Sequence, residues 1–245
     1  MRAAVIIPVF NERESLPLVV KDIPRQIVSE IVVVDNGSTD GTDLIAQNLP
    51  VRLVRETRRG YGSACLAGVA ALAGSPPDVI VFLDGDYSDH PEEMRDLLDA
   101  VARGADLVIG SRALGRCEPG ALLPQARFGN RLACFLIRLF YGYRYTDLGP
   151  FRAIRWDAYQ RLGMRDTNFG WTCEMQVKAL RAGLRVAEVP VSYRRRVGVS
   201  KNTGTLSGTL RAGAKILWTI ARYGVFERAS RSDGSRTARS SNTLR

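Results

Sequence analysis

Val79-Ile80-Val81-Phe82-Leu83-Asp84-Gly85-Asp86 is the stretch from which the fold follows. Its first five residues are apolar without polar alternation, the pattern of a strand buried on both faces in a parallel sheet. Such sheets gather ligands beyond the carboxyl ends of their strands, and this strand runs into two carboxylates. Residues two apart in an extended chain point to one side, so Asp84 and Asp86 are expected to face one point. A pair of hard oxygen anions suits a magnesium or manganese ion that carries substrate phosphates. The plainer alternative is a solvated acidic turn. The strand before the pair and the helix start at Pro91 after it favour the metal.

Ala3 to Val9, Ile31 to Val34, Val51 to Arg55 and Asp106 to Gly110 also read as strands. Between them, Glu14 to Gln26, Thr42 to Asn48, Gly62 to Ala73 and Pro91 to Ala102 read as helices. The alternation predicts an α/β fold, a Rossmann-like, mostly parallel sheet with helices on both faces and right-handed crossovers. The second half is less regular. Residues 111 to 123 carry Gly115, Pro119 and Gly120 and read as a long, functional loop. Gln125 to Phe140 reads as a helix, Phe151 to Arg155 as a strand and Thr172 to Ala182 as a helix. Arg185 to Arg195 reads as extended, with Pro190 at an edge or bulge, and Leu206 to Tyr223 as a last helix. The expected organisation is one domain over residues 1–226, whose halves meet near residue 110. A basic tail over 227–245 is too Ser- and Arg-rich to pack.

The 245 residues are 45% hydrophobic, enough for one sizeable core. Thirty-five Lys and Arg against 25 Asp and Glu leave a net charge of +10. That surplus points to phosphorylated substrates or anionic lipid; aromatics interleaved with basic residues are lacking, which argues against nucleic acid. The cysteines, at 65, 117, 134 and 173, form no CxxC pair, so neither a zinc site nor a disulfide framework is expected and the default is a cytoplasmic protein with reduced thiols. His90 is the single histidine, which excludes a multi-histidine metal site; it is expected at the start of the Pro91 helix with no more than a minor part near the metal. The opening residues are strand-like rather than a leader. The best apolar run, Leu132 to Tyr143, is cut by Arg138 and falls short of the ~18 residues of a membrane span.

Two further strand ends lie at the same sheet edge. Pro8-Val9-Phe10-Asn11-Glu12 follows the first strand, and Asp35-Asn36-Gly37-Ser38-Thr39-Asp40-Gly41 ends the second. Capping and turning account for the small polar residues but not for Asp35, which is placed to accept hydrogen bonds from a base or ribose. Arg58-Arg59-Gly60-Tyr61-Gly62-Ser63 follows the third strand and opens a helix. It is either a tight turn or a phosphate contact at a helix N-terminus. It is not a dinucleotide fingerprint, because Cys65 stands where the last glycine would be.

Taken in order and spacing, these motifs resemble the family-two inverting glycosyltransferases of GT-A fold, and most of all the polyprenyl-phosphate and dolichyl-phosphate sugar transferases. Gly110-Ser111-Arg112, Thr146-Asp147-Leu148, Phe151-Arg152-Ala153 and the series Arg195, Gly198, Ser200, Lys201 extend the likeness, which spans residues 3 to 225. The resemblance implies a nucleotide-binding half and an acceptor half. Pro8, Phe10, Asn11, Glu12 and Gly60 would cradle the nucleotide sugar and Asp35 would read the base. Asp84 would lie near ribose and diphosphate, and Asp86 would ligate Mg2+ or Mn2+. Arg195 and Lys201 would neutralise the departing diphosphate. Glu174 matches a segment near the acceptor, where it is either a base or a helix-dipole Glu. A hydroxyl acceptor requires a base; a phosphate acceptor, with a second pKa of about 6, is already ionised. Two departures fall near the metal and acceptor sites. Ser88, with Asp89 beside it, replaces the usual Gln, and Gly149-Pro150 precedes Phe151-Arg152.

The expected activity is metal-dependent transfer of a sugar from a UDP- or GDP-sugar to an acceptor, foremost a polyprenyl phosphate. The acceptor would enter between the 111–123 loop, the Gln125 helix and the Arg195–Lys201 loop. The alternatives are a hydroxyl acceptor with Glu174 as base, a sugar nucleotidyltransferase, and a non-enzymatic membrane-binding module, which would leave the aspartates unexplained. The two Arg-bearing helices, 125–140 and 206–223, are either packed on the sheet or set at an anionic membrane surface. A protein without spans would be peripheral on the inner face at most.

Overall fold

A computed structural model describes residues 1–198, 218–220 and 222 of the chain. Lys201 and the 227–245 tail lie outside the described residues, as does most of the helix expected over 206–223. Trp218, Thr219 and Ile220 of that helix are described and are helical.

Seven strands form one mixed sheet: β1 (Ala3–Val9), β2 (Glu30–Asp35), β3 (Arg52–Arg55), β4 (Val79–Phe82), β5 (Leu107–Ser111), β6 (Arg152–Arg155) and β7 (Val186–Pro190). Their order is β3-β2-β1-β4-β6-β5-β7. All pairings are parallel except those of β6, which runs antiparallel between β4 and β5. The mostly parallel expectation therefore holds for six strands, and the exception comes from the less regular half. The chain order of β6 gave no sign that it would insert between β4 and β5.

The central strands bury both faces, and their odd and even residues divide between two cores as the strand period requires. Val5, Ile7, Val33, Val79 and Val81 pack under α1 (Leu16–Asp22), α2 (Thr42–Gln47) and α4 (Met94–Ala102). Ile6, Val34, Ile80 and Phe82 pack under α3 (Tyr61–Leu72), α5 (Pro124–Tyr141), α6 (Trp156–Leu162) and α7 (Trp171–Arg181). The helix expected over Glu14–Gln26 is shorter, because Pro24 ends it and the chain turns through a 3-10 segment at Arg25–Ile27. α6 was not anticipated. It follows β6 without a break, and its seven residues are too few to show a helical period.

Candidate active site

The strand β4 ends at Phe82, so Asp84 and Asp86 sit in the turn that follows rather than in extended chain. The turn nevertheless brings both to one cavity of about 330 Å³ at the carboxyl edge of the sheet. Pro8, Phe10, Glu12, Asn36, Arg59, Gly60 and Tyr61 wall one side; Asn168, Phe169 and Arg196 close it. The turn is braced by Tyr87, which takes a left-handed φ of 64°, a conformation rare for a side chain this size. Its hydroxyl donates to Asp22 at 2.6 Å and its ring lies under the Arg194 guanidinium at 3.4 Å.

The two carboxylates differ. Asp86 Oδ1 accepts from Ser88 N at 2.9 Å and Ser88 Oγ at 2.5 Å, and Oδ2 meets Arg196 Nη2 at 2.5 Å. Asp84 is half-buried as a residue, but its Oδ1 is covered and has no partner within hydrogen-bond length. Burial and the Asp86 charge raise its pKa from 3.8 to about 7. Tyr61, whose hydroxyl is also unsatisfied, interacts with it without closing a bond of normal length. Asp89, 1% exposed and likewise unpartnered, has its carboxyl pushed up by burial and by both neighbours. Three acids are thus crowded beside a cavity with one arginine paired to them. This arrangement fits a divalent cation, because an orphaned buried oxygen and a presented carboxylate are the donors an Mg2+ or Mn2+ would take. No set of three His, Cys, Asp or Glu able to hold a metal alone is found among the described residues. A Mg2+-type ion completes its shell with substrate phosphates and water.

On the nucleotide side, Phe10 and Glu12 line the cavity, and the Arg59 guanidinium stacks 3.6 Å over the Phe10 ring. Asn11 and Asp35 stand behind this wall. Asn11 Oδ1 accepts from Thr39 N at 2.7 Å, tying the loops after β1 and β2 together, and the Asp35 carboxylate accepts from Ser38 N at 3.2 Å within the second of them. Asn36 takes the lining position beside Asp35. It accepts from Gly60 N at 2.8 Å and donates to the Glu56 and Arg58 carbonyls. Gly60 lines the cavity, yet its freedom answers to protein rather than ligand. A Cβ at Gly60 would lie 2.1 Å from Thr167 O, and one at Gly62 would lie 2.1 Å from Asp166 O. Those glycines let the 165–169 segment dock, and the docking delivers Asn168 and Phe169.

Glu174 lies beneath that segment and is fully enclosed. Its carboxylate accepts from Asp166 N at 2.7 Å and from Arg165 N, and pairs with Lys178 at 2.7 Å. It reaches neither cavity and acts by shaping the loop that does.

Arg195 turns away from Asp86. Its Nε donates to Pro119 O at 2.8 Å, and its backbone N–H donates to Glu118 at 2.9 Å. Arg196 is the residue against the aspartate. Extended chain explains this, since neighbours alternate in direction: Arg194 and Arg196 face the 86–89 turn, and Arg195 faces the 118–120 loop. Arg195 lines a second cavity of about 330 Å³ with Arg112, Arg196, Tyr193 and the apolar Leu122, Leu123 and Ala126. Arg112 is held there by a two-pronged pair with Asp147, both contacts at 2.7 Å. Burial opposes its charge and Asp147 more than restores it, so its pKa rises. No sequence motif assigns a site role to Arg196 or Asn168, and Arg59 stands only within the stretch read as a tight turn or a phosphate contact. The Gly60–Gly62 pair was the one signal that Asn168 would arrive.

A family model described as glycosyl transferase family 2 matches residues 4–163. An uncharacterized glycosyltransferase of Mycobacterium tuberculosis is 38% identical, over 84% of this chain and 92% of that one. The polyprenol monophosphomannose synthase of Mycolicibacterium smegmatis is 33% identical over 95% and 91%. The undecaprenyl-phosphate mannosyltransferase of Micrococcus luteus is 34% identical over 85% and 90%. Among solved structures, the glucosyl-3-phosphoglycerate synthase of Mycobacterium tuberculosis, in complex with Mn2+, uridine diphosphate and glucosyl-3-phosphoglycerate, superposes with a TM-score of 0.71. It covers 91% of this chain and 79% of that one at 20% identity, a shared fold.

Proposed function

The chain belongs to glycosyl transferase family 2, and from that premise we propose that it moves a hexose from a nucleotide-diphospho-sugar to a polyprenyl phosphate with a divalent cation at Asp84 and Asp86. The observation that carries the reading is the pair of adjoining cavities, one acidic at its floor and one basic with apolar walls, sharing Arg196. The first suits a nucleotide sugar. The Phe10–Arg59 stack offers a planar wall to a base, and Asp84 and Asp86 lie where the diphosphate would end. A bound Mg2+ or Mn2+ would supply charge stabilisation to the departing diphosphate. The second cavity suits a phosphate on an isoprenoid chain, with Arg112 and Arg195 for the head and Leu122, Leu123 and Ala126 for the first apolar units.

A phosphate acceptor needs no general base at neutral pH, which agrees with the enclosure of Glu174. A hydroxyl acceptor would require a base at the cavity, and Glu174 is held away from it by Arg165, Asp166 and Lys178. Two relatives, a polyprenol monophosphomannose synthase and an undecaprenyl-phosphate mannosyltransferase, support the same acceptor class. No helix among the described residues is long and apolar enough to cross a membrane, so such an acceptor would be met at a membrane surface.

The test is sugar transfer from labelled UDP- and GDP-sugars to a short polyprenyl phosphate, with Mn2+ or with chelator. Asp86→Ala should lower turnover by about a thousandfold, the order expected when a principal charge stabiliser is removed, and should leave the fold intact. Full activity in chelator, or in Asp86→Ala, would overturn the reading.

A further inference from the structure

Asp86 already has a counter-ion, and that counter-ion stands between the two cavities. Oδ1 of Asp86 is taken by Ser88, so Oδ2 is the oxygen left for a cation, and Arg196 Nη2 holds it at 2.5 Å. The Arg196 side chain, a third exposed, walls both the acidic cavity and the basic one. Its main chain is fixed on either side: Val197 N donates to Asp86 O at 3.0 Å, and Arg194 N donates to Ser88 O at 2.9 Å. Arg194 is further locked by the Tyr87 ring, by the Tyr87 carbonyl at 2.7 Å and by the Asp89 carbonyl at 3.0 Å. Of the two arginines that face the 86–89 turn, Arg196 is therefore the one whose side chain can change partner without moving the loop.

We propose that Arg196 is a two-position counter-ion. In the resting protein it neutralises Asp86. When Asp86 is given to a divalent cation, it swings into the second cavity and joins Arg112 and Arg195 against the acceptor's phosphate. The inference rests on the transferase reading above and adds to it the residue that couples the cation to the acceptor's phosphate.

The charges explain why the swing matters. In the second cavity Arg112 is neutralised by Asp147, and Arg196 by Asp86. An anion entering at this stage meets less positive charge than three guanidinium groups imply. Releasing Arg196 adds a full charge and a forked donor suited to phosphate. The carboxylates facing Arg196 are Asp86, Asp84 and Glu12, all on the acidic cavity, while Tyr193 faces it from the second cavity as a neutral phenol; without a cation, the charges around it hold it against Asp86. Cation binding and phosphate binding are then coupled, and the coupling is reciprocal.

The experiment uses the full chain, with Mn2+ binding read by electron paramagnetic resonance and binding of a water-soluble, short isoprenyl phosphate read by calorimetry. Arg196→Gln should bind Mn2+ more tightly than wild type, by about tenfold for loss of a charge-assisted competitor. In wild type, Mn2+ with nucleoside diphosphate should tighten isoprenyl phosphate binding severalfold; in Arg196→Gln that enhancement should vanish. Arg196→Lys keeps the competing charge but loses the fork, and should bind Mn2+ close to wild type while losing most of the enhancement. Unchanged or weaker Mn2+ binding in Arg196→Gln, or an enhancement that survives there, overturns the switch and leaves the transferase reading standing. A wild-type protein that binds neither Mn2+ nor a nucleotide sugar overturns both.

Discussion

At the scale of single residues, the crowding of Asp84 against Asp86 has a consequence for stability. The folded value for Asp84, about 7, lies above its ordinary 3.8. Between those limits the folded chain holds a proton that the unfolded chain has released. Stability therefore falls as pH rises from about 4 to about 7 and stays low above it. Asp84→Asn removes this term. With metal chelated, the variant should be more stable than wild type at about pH 8, by on the order of 1–3 kcal/mol, and the gap should shrink at about pH 5.5. Thermal unfolding at the two values checks it; a variant less stable than wild type at the higher pH would sink the argument. Mn2+ added to wild type at the higher pH should raise its melting temperature, because the ion takes over the unpaired oxygen. The aspartate pair was legible in the sequence because a strand end locates it wherever the following turn happens to bend. Arg196 was not. Three consecutive arginines look alike in one dimension, and only the alternation of an extended chain, anchored by the Tyr193 bridges to Cys117 and Asp89, decides which of them meets the acid.

At the scale of elements, the docking of the 165–169 segment onto α3 is the join that completes the first cavity. Gly62 lies inside α3, where alanine is ordinarily preferred by up to about 1 kcal/mol. Packing predicts the reverse, since the added Cβ would meet the Asp166 carbonyl at 2.1 Å and the Thr167 carbonyl carbon at 2.8 Å. Backbone cannot give way as a side chain can. Gly62→Ala should cost about 1–3 kcal/mol and weaken nucleotide-sugar binding by displacing Asn168 and Phe169. Gly129, in α5, has nothing within 4 Å of its would-be Cβ, so Gly129→Ala should stabilise by about 0.5–1 kcal/mol. Chemical denaturation of the pair is decisive, because helix propensity alone gives both changes one sign. The first helix ends four residues before the expected Gln26, whereas the first four strands were readable within a residue, three of them because their burial is written in an apolar run. The insertion of β6 was not, because strand direction in a mixed sheet is set by partners distant in the chain.

At the scale of the whole molecule, α5 carries an apolar face that none of the described residues covers. Phe128, Phe135 and Leu139 are 70%, 60% and 64% exposed. Their spacings of seven and four residues put them on one side of the helix, while Ala133, Cys134 and Ile137 face inward. Arg127, Arg131 and Arg138, all exposed, flank the apolar residues. The same helix begins at the second cavity, where Leu123 and Ala126 form part of the wall. The geometry suits a protein that rests this face on an anionic bilayer and draws a lipid-borne phosphate from it, with bulky residues in the acyl boundary and arginines among the headgroups. The net charge of +10 acts in the same direction. Cosedimentation should show binding to vesicles rich in anionic lipid, weaker binding to neutral vesicles, and a loss of binding as salt screens the arginines. The triple change Phe128→Ser, Phe135→Ser, Leu139→Ser should reduce vesicle binding by at least about tenfold, since each buried methylene contributes ~0.8 kcal/mol. Nucleotide-sugar affinity should hold, because none of the three lines the first cavity. Transfer to a lipid-embedded acceptor should fall in parallel with vesicle binding, whereas transfer to a short, soluble isoprenyl phosphate should persist. Equal binding of wild type and triple variant to anionic vesicles would show that the charge alone recruits the protein and that this apolar face has no part in it.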